Sequence, residues 1–493
     1  MRPRFIRVAA LALAVFAIVS NSQAATITKA AAGTDLTAGA SWGGTAPGSG
    51  DVANWASTSL GAGLTLANSR SWSGISVASA LSAIDITGAG TLTIGSNGIN
   101  MASSAVNLSL ATPIALGSSQ TWTVNSGRTL TASGIISGTA MVLTKAGSGT
   151  LTIKNAANTF TGGTIINAGQ LTMDLQANAA LGTGPITLNG GRLFLERVTA
   201  ANALTVNGGD LWPENGFGDN WNGPVTLNSI LIIQGPGYAT MTFNGSIRGA
   251  GGLTLNGQGP VVLAVSNSYT GPTIVSACTL QCKHKDALGS GALSISSTAN
   301  SKVNLDYTGT KNITSLTLGG VPQSGGTHGS TSSPAVNKND TYFSGNGTVT
   351  VPLSSAKDIL TFSFGALGSA AIGASTINLD VPIGTDRTAL APTYTLSPGA
   401  TCSPISGTSL NFTLAQIYTV TAQDGSTKAY TVTVTEAILP STFTWVNSAG
   451  GNWSVAANWL PHQVPATNDT VWITNHGTLT RRRTRANGGI YFD

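Results

Sequence analysis

Residues 210–221 hold the densest group of side chains in this chain that could do chemistry. The group combines three acids with three aromatic residues: Asp210, Glu214, Asp219, Trp212, Phe217 and Trp221. Glycoside hydrolysis needs two carboxylates close together, and aromatic rings can stack on sugars. The Pro, Asn and Gly residues between them favour a loop that protrudes from the fold with exposed rings. The sequence favours the loop and leaves Trp212, Phe217 and Trp221 as candidate contacts for a glycan or another partner.

Other catalytic and metal-binding patterns are missing from the sequence. The remaining acids occur singly, with no Asp-Asp or Asp-x-Asp pair, and no serine lies in a nucleophile elbow with triad partners. The histidines have no metal-ligand spacing and are expected to be exposed to solvent: His284, His328, His462 and His476. No Asp-rich calcium loop recurs. We therefore predict no catalytic residue, no cofactor and no metal site.

The cysteines are too few for a disulfide framework: Cys278, Cys282 and Cys402. In one extended strand Cys278 and Cys282 would lie ~13 Å apart, which is too far for a bond. Only a sharp corner between them would allow a disulfide, and the sequence leaves that pairing open.

Composition sets the fold class. Charged residues make up 8% of the 493 residues, whereas Gly alone accounts for 62. Helices need charged, straight-chain residues on their solvent faces, so the abundance of Thr, Ser, Asn, Val, Ile and Leu favours strands and tight turns. The body of the chain is nearly neutral, which argues against nucleic acid as a partner because that requires a dense basic surface. The chain is predicted to be all-β.

The N-terminus has the pattern of a secretory signal. Arg2, Arg4 and Arg7 precede an apolar run at 8–19, and small residues follow up to Ala24, where we expect cleavage. The run is too short to cross a bilayer, and no other segment approaches the ~20 apolar residues required. Residues 1–24 are predicted to be a signal peptide, with no membrane span after it.

Two long stretches repeat each other. Residues 149–171 read GTLTIKNAANTFTGGTIINAGQL, and residues 259–280 read GPVVLAVSNSYTGPTIVSACTL. The similarity continues with ALGTGPITL at 180–188 and ALGSGALSI at 287–295. Alternating strands with Gly corners at fixed spacing are typical of a solenoid. We predict a right-handed parallel β-helix over 25–355 with roughly 20–25 residues per turn, ~13–16 turns and Asn and Thr ladders along its length.

Two further segments follow the solenoid. Residues 356–436 alternate in six or seven short strands, including one at 409–414, and predict a small antiparallel β-sandwich with a hairpin at Asp424-Gly425. Residues 437–493 contain a Trp-rich phrase and an Arg-rich tail at 481–485, and are expected to be the truncated start of a further repeat region. The phrase resembles one near the N-terminus, and both sets of Trp are expected to form capping cores rather than glycan platforms: Trp42, Trp55, Trp445, Trp453, Trp459 and Trp472.

These motifs resemble the autotransporter-associated β-strand repeat family of large exported bacterial proteins. The family's phrase G-T-L-T-L, N-T-Y-T-G-G-T-T-I and A-G-x-L is matched closely at 149–153, 158–166 and 168–171, within a first repeat at 143–173. A second repeat at 253–282 keeps Asn267 and the Tyr-Thr-Gly at 269–271 but departs at Pro260, Pro272 and Cys278. Residues 356–436 resemble cadherin-like modules of bacterial surface proteins. The resemblance implies a passenger-type β-helix displayed on, or released from, a Gram-negative cell, although residues 437–493 offer no translocator.

The sequence therefore predicts a non-catalytic, exported, adhesin-like or structural protein that presents a β-helical rod. Its expected partners are an extracellular polysaccharide or other cell-surface proteins. Two alternatives stay open. A carbohydrate-active β-helix enzyme would place a pair of carboxylates on one face of the rod. An array of carbohydrate-binding modules would show several coplanar exposed aromatic rings along one side.

Overall fold

Short strands built from apolar residues that alternate with Thr, Ser or Asn form most of the described chain. In Leu204–Val206, for example, Leu204 and Val206 are buried while Thr205 faces outward. The computed structural model describes residues 24–174, 180–214, 216, 218–235, 238–436, 442–449, 451–452, 454–460, 462–465, 469–473, 479–480 and 490–492. Helical structure in these residues is limited to three 3-10 turns: Gly39–Trp42, Gly365–Leu367 and Ala456–Asn458. The all-β prediction is confirmed. All but the last residue of the predicted signal peptide lie outside the described residues.

The chain divides into two units, Met1–Pro352 and Leu353–Asp493. In the first unit parallel strands from successive turns form three long sheets. Sheet 1 contains Thr26–Thr28, Val52–Trp55, Arg70–Val77, Leu92–Met101, Ile114–Leu116, Gln120–Val124, Ile136–Ser137, Leu143–Ala146, Thr164–Ile166, Ile186–Leu188, Leu204–Val206, Val225–Leu227, Ile247–Gly249 and Ser268–Tyr269.

Sheets 2 and 3 form the other faces of the same coil. Sheet 2 contains Leu64–Thr65, Ile84–Thr87, Leu108–Leu110, Thr129–Ala132, Thr150–Ile153, Gln170–Met173, Arg192–Leu195, Asp210–Pro213, Leu231–Ile233, Leu253–Leu255, Thr273–Val275, Leu293–Ile295, Leu316–Leu318 and Val321–Pro322. Sheet 3 contains Thr199–Ala200, Asp219–Trp221, Met241–Phe243, Val261–Leu263, Thr279–Cys282, Lys302–Leu305 and Phe343–Ser344. The prediction of a parallel β-solenoid is confirmed, and its right-handed sense stays a prediction.

Strand register fixes the length of each turn. In sheets 1 and 2, a short turn joins Leu188 to its partner Val206, and the longest joins Thr26 to Val52. The first of these turns is shorter than predicted and the second is longer, because loops at the corners differ in length while the paired strands stay short. Fourteen strands in sheet 2, spaced ~4.8 Å apart, extend over roughly 60 Å.

Both ends of the solenoid are closed by irregular structure. At the start, the indole rings of Trp42 and Trp55 meet edge to face at 5.5 Å, and Trp42 meets Trp72 at 5.7 Å. These rings are buried, which confirms the capping interpretation for Trp42 and Trp55. At the other end sheet 4 contains Thr310–Asn312, Gly326–Gly329, Asn337–Lys338 and Thr348–Val351. Two of these strands, Gly326–Gly329 and Thr348–Val351, pair antiparallel. This pairing interrupts the stacking of parallel strands from one turn to the next.

The second unit begins with two small sheets that enclose one core. One sheet pairs Ile359–Ser363 with Thr393–Leu396, and the other contains Ala371–Ile372, Thr376–Val381, Thr401–Ser403, Gln416–Thr421 and Thr427–Glu436. Phe362 and Tyr418 from opposite sheets meet edge to face at 5.1 Å, as expected of a sandwich. The predicted strand at 409–414 is wrong, because these residues form no strand. The small sheets are antiparallel as predicted, except that Thr376–Val381 runs parallel to Thr427–Glu436. The hairpin at Asp424-Gly425 is confirmed.

The Trp-rich segment shares one parallel strand pairing with the start of the solenoid. Its strands are Thr442–Trp445, Gly451–Asn452, Trp459–Leu460, Thr470–Ile473, Leu479–Thr480 and Ile490–Phe492. Thr442–Trp445 pairs parallel with Thr470–Ile473, as Thr26–Thr28 pairs with Val52–Trp55. Trp445 and Trp459 are buried against each other, as expected of a capping core, whereas Trp472 is 39% exposed. The side chain of Trp453 and the Arg-rich tail at 481–485 lie outside the described residues.

Candidate functional site

The interior of the solenoid is filled by stacked apolar side chains, so a partner meets the outward residues of the sheets. One outward column follows sheet 1, where the amides of Asn167, Asn189, Asn207 and Asn228 hydrogen-bond in sequence, each at 2.8 Å. Asn189, Asn207 and Asn228 each donate their Nδ2 to the Oδ1 of the asparagine one turn earlier. The predicted asparagine ladder is therefore confirmed, and it presents a regular row of exposed amides.

A second role of asparagine lies inside the two repeats. The Oδ1 of Asn158 accepts the backbone N–H of Ile136 at 2.6 Å, and its Nδ2 donates to the carbonyl of Ala180 at 2.7 Å. Asn267 makes the same two bonds, both at 2.7 Å, to Ile247 and Ala287. We call Asn158 and Asn267 the bridging asparagines. Each joins three successive turns where backbone pairing is interrupted, which explains in physical terms why the repeat phrase places Asn there.

The residue two places after each bridging asparagine differs between the repeats. In the second repeat the Tyr269 hydroxyl bonds to Thr273 Oγ1 at 2.7 Å inside the core. In the first repeat Phe160 occupies the position of Tyr269, and Thr164 Oγ1 is buried with no partner among the described residues. The buried threonine hydroxyl therefore has a hydrogen-bond partner in the second repeat and, within the described residues, lacks one in the first, although the second repeat matches the family phrase less closely elsewhere.

The prediction of a protruding loop at 210–221 is wrong. Asp210–Pro213 is a strand of sheet 2 and Asp219–Trp221 is a strand of sheet 3. Trp221 is completely buried and its Nε1 donates to the carbonyl of Asn202 at 3.1 Å, so it cannot contact a ligand. Phe217 lies outside the described residues. Of the three aromatic candidates, the structure leaves Trp212 on the outer face of the rod, half-buried.

Trp212 belongs to a hydrogen-bonded group on the outer face of sheet 2, which we call the Trp212 cluster: Arg192, Asp210, Trp212 and Gln234. The Arg192 guanidinium lies over the indole, with its Cζ 3.5 Å from the ring centroid. Arg192 Nη2 and Nε bond to the Asp210 carboxylate at 2.9 and 3.0 Å, and Gln234 Nε2 donates to it at 2.5 Å. The side chains come from three successive turns and hold one another in place.

Acids on successive turns form a column beside this cluster. Asp174, Glu196 and Glu214 each follow a strand of sheet 2, and their backbone N–H groups bond to Ile153, Met173 and Leu195 of the preceding turns. A whole turn of the coil separates one acid from the next in the sequence, which hid this proximity from a search for Asp-x-Asp pairs. Burial by itself raises the pKa of Asp174, but hydrogen bonds with Glu196 and Lys154 outweigh it and hold the pKa below its ordinary value. Lys154 Nζ lies 2.5 Å from Asp174.

Asp219 is a buried acid with a structural role. Its Oδ1 accepts the backbone N–H of Val198 at 2.7 Å, the bond that a bridging asparagine accepts in the repeats. Its Oδ2 is buried with no hydrogen-bond partner among the described residues. Burial raises the pKa of Asp219 to about 6, although backbone hydrogen bonds from Val198 and Glu214 oppose the rise. Since Asp219 has no exposed surface, it cannot reach a substrate.

The remaining sequence candidates have structural explanations. His328 was expected to be exposed but is buried, because its strand closes the end of the solenoid and its Nε2 lies 2.9 Å from the carbonyl of Ser324. His476 lies outside the described residues. The cysteines are free and buried, so no disulfide joins Cys278 to Cys282. Among the described residues, no three His, Cys, Asp or Glu side chains gather into a possible metal site.

Comparison with known proteins agrees with the repeat pattern. Residues 143–173 and 248–281 match the family described as Passenger-associated-transport-repeat. The chain carries autotransporter-associated repeats. Both repeats are built into the same solenoid, with further turns between them, and each contains one bridging asparagine. Residues 359–434 match a family described as SGBP, N-terminal, so the cadherin-like identity of the sandwich is not confirmed.

Two individual proteins share parts of the chain. The Adhesin BmaC autotransporter of Brucella suis biovar 1 (strain 1330) is 39% identical over 104 residues, which is 20% of this chain and 3% of that protein. A solved structure of a "putative glycoside hydrolase" from Bacteroides thetaiotaomicron is 41% identical over 20% of this chain and 30% of its own, with a TM-score of 0.17. A TM-score this low carries no inference. In the part of the chain that the structure describes, no helix has the length and apolarity to cross a membrane.

Proposed function

We propose that this chain is a non-catalytic, exported passenger of a Gram-negative bacterium, which presents its β-solenoid at the cell surface or outside the cell as an adhesive or structural rod. The observation that carries the proposal is the pair of passenger-associated transport repeats, both built into one continuous parallel solenoid. Stacked strands of this kind make an extended lateral surface, and repeat proteins bind through such surfaces.

The relative named as an adhesin supports the same role for this chain. The chain spans about 3% of the length of that relative, so adhesion is carried over as a proposal for the matched region only. The secretory pattern at 1–24 supports export. We further propose that 25–355 forms the rod and that 356–436 is a separate module. Residues 437–493, whose strands pair as at the start of the rod, are proposed to begin another repeat region.

A carbohydrate-active enzyme is the second candidate, and the acid column favours it because Asp174, Glu196 and Glu214 share one edge of the rod. Two observations weigh against this reading. Asp174 is buried and paired with Lys154, and Asp219 has no exposed surface. A general acid must reach the glycosidic oxygen, so neither carboxylate suits that role. Glu196 and Glu214 are partly exposed and stay open to that role. The non-catalytic function stands first because the passenger-associated repeats and the adhesin relative support it.

Surface display is tested by protease treatment of intact cells that express the full gene. An antibody against residues 25–352 is used on treated cells and on the medium, with a periplasmic protein as the control for envelope integrity. Loss of the cell-bound signal with an intact periplasmic control is expected for a displayed rod. Signal in the medium alone indicates a released protein, and signal protected inside intact cells contradicts the proposal.

A further inference from the structure

We infer that the Trp212 cluster is a binding site for a neutral polysaccharide on the side of the rod. The inference deepens the proposed function, because it names the partner class and the place of contact for an adhesive rod. It rests on the composition of the cluster, on the partial exposure of Trp212 on the outer face of the rod, and on the charges around it.

The cluster departs from the pattern of its own sheet. On the three preceding turns, outward positions of sheet 2 hold Thr or Gln, as in Thr129–Ala132, Thr150–Ile153 and Gln170–Met173. The next two turns place Arg192, Phe194, Asp210 and Trp212 at the same positions, with Phe194 opposite Trp212 in register. Trp and Arg are the residues most enriched at binding hot spots. The replacement of outward Thr and Gln by charged and aromatic residues is therefore confined to these two turns. The strand pairing of the other turns does not need such residues.

Trp212 is half-buried, and residues of both neighbouring turns approach its ring. Arg192 covers one face of Trp212, and the next turn reaches the ring with Gly235. A Cβ at Gly235 would lie 2.8 Å from the carbonyl oxygen of Pro213 and in ordinary contact, at 3.5 Å, with Cδ1 and Nε1 of the indole, so Gly235 allows the backbone of this turn to pass close to the ring. A cleft of about 10 Å³, the space of about one water molecule, is lined by residues that include Pro213, Gln234 and Gly235. Tyr238, on the same turn as Gly235, is 75% exposed.

The polar groups of the cluster are preorganised. Asp210 is only 8% exposed and is held by Arg192 and Gln234. Sugars present C–H faces that stack on aromatic rings and hydroxyl groups that bond to carboxylates and amides. A fixed carboxylate and amide beside a ring match both needs, and fixing them in advance lowers the entropic cost of binding.

Charge selects the class of polysaccharide. The guanidinium of Arg192 is neutralised by Asp210, and residues 192–214 carry three acids against two arginines. Glu196 and Glu214 follow the strands that carry Arg192 and Trp212. An excess of acids repels uronate and sulfate groups. The site is therefore suited to neutral hexose polymers rather than to acidic ones.

The test uses the purified full mature chain in native affinity gels that contain dextran, xyloglucan, mannan or β-1,3-glucan, with polygalacturonate as the acidic comparison. We expect retardation by at least one neutral polymer. Trp212→Ala is expected to weaken it about 10-fold or more, Trp212→Phe to retain most of it, and Thr205→Ala, outward on sheet 1, to leave it unchanged. Circular dichroism melting curves establish that each variant is folded.

Three outcomes overturn the inference: no retardation by any of the four neutral polymers, equal binding by folded Trp212→Ala, or preference for polygalacturonate. Each of them leaves the proposed surface display intact, because protease treatment of cells tests display independently. Conversely, a chain that binds a neutral polymer through Trp212 but is protected inside cells would retain the binding site and contradict the proposed function.

Discussion

Replacing the bridging asparagine Asn267 with alanine should destabilise the solenoid far more than removing an exposed asparagine. The substitution removes two buried hydrogen bonds of 2.7 Å and leaves the N–H of Ile247 and the carbonyl of Ala287 without partners. Each stranded buried group costs about 1–3 kcal/mol, so the free energy of unfolding should fall by about 4 kcal/mol. For a cooperative unit of roughly 330 residues this lowers the melting temperature by roughly 6 °C.

The matched control is Asn207→Ala. Asn207 also makes two side-chain hydrogen bonds, both at 2.8 Å, to Asn189 and Asn228, but they lie on the exposed ladder. Water can replace both, so the free energy of unfolding should change by less than about 1 kcal/mol. Thermal unfolding of the purified chain, followed by circular dichroism, measures both variants under one condition. Equal shifts for the two substitutions, or a shift for Asn267→Ala no larger than the scatter between repeated melting curves, would refute the assignment of a bridging role.

Three further substitutions test other features of the rod. Phe160→Tyr should give the buried Thr164 hydroxyl the partner seen in the second repeat and raise stability by about 1 kcal/mol in denaturant titrations; no change would mean that the two sites are packed differently. Gly162→Val should lower the melting temperature, because a Cβ at Gly162 would lie 2.4 Å from the backbone of Met141; an unchanged melting curve would contradict the placement of this corner. Asp219→Asn should remove a pH dependence. Since the folded pKa of Asp219 is raised to about 6, its stabilising contribution is complete below pH ~4 and is lost as pH rises through ~6, at a cost of up to about 3 kcal/mol. The asparagine variant should therefore melt higher than the wild type at pH 8 and nearly equally at pH 4, and a constant difference across pH would refute this cause.

The fold could be predicted from the sequence because the repeats contain local signals. These signals are the alternation of apolar and polar residues in each strand and the Gly and Asn residues at the corners. Leu204-Thr-Val206 shows the buried and exposed faces of one strand without any knowledge of its neighbours. The asparagine ladder could be predicted for the same reason, since like residues stack when turns of similar length repeat. Local signals failed at 210–221, where Pro213 and the glycines indicate a loop. Strand pairing with adjacent turns overrides that preference, since it satisfies backbone groups that would otherwise be buried alone.

The sequence by itself thus determined the all-β class, the solenoid and its repeated turns, since each depends on residues close together in the chain. The tertiary structure decided which side chains meet. Arg192 and Trp212 lie on different turns yet are in contact, and Asp174, Glu196 and Glu214 form a column only after the coil closes. The reason is geometric. Contacts along the rod depend on the length of each turn, which differs between one turn and another, so no fixed spacing in the sequence reveals them.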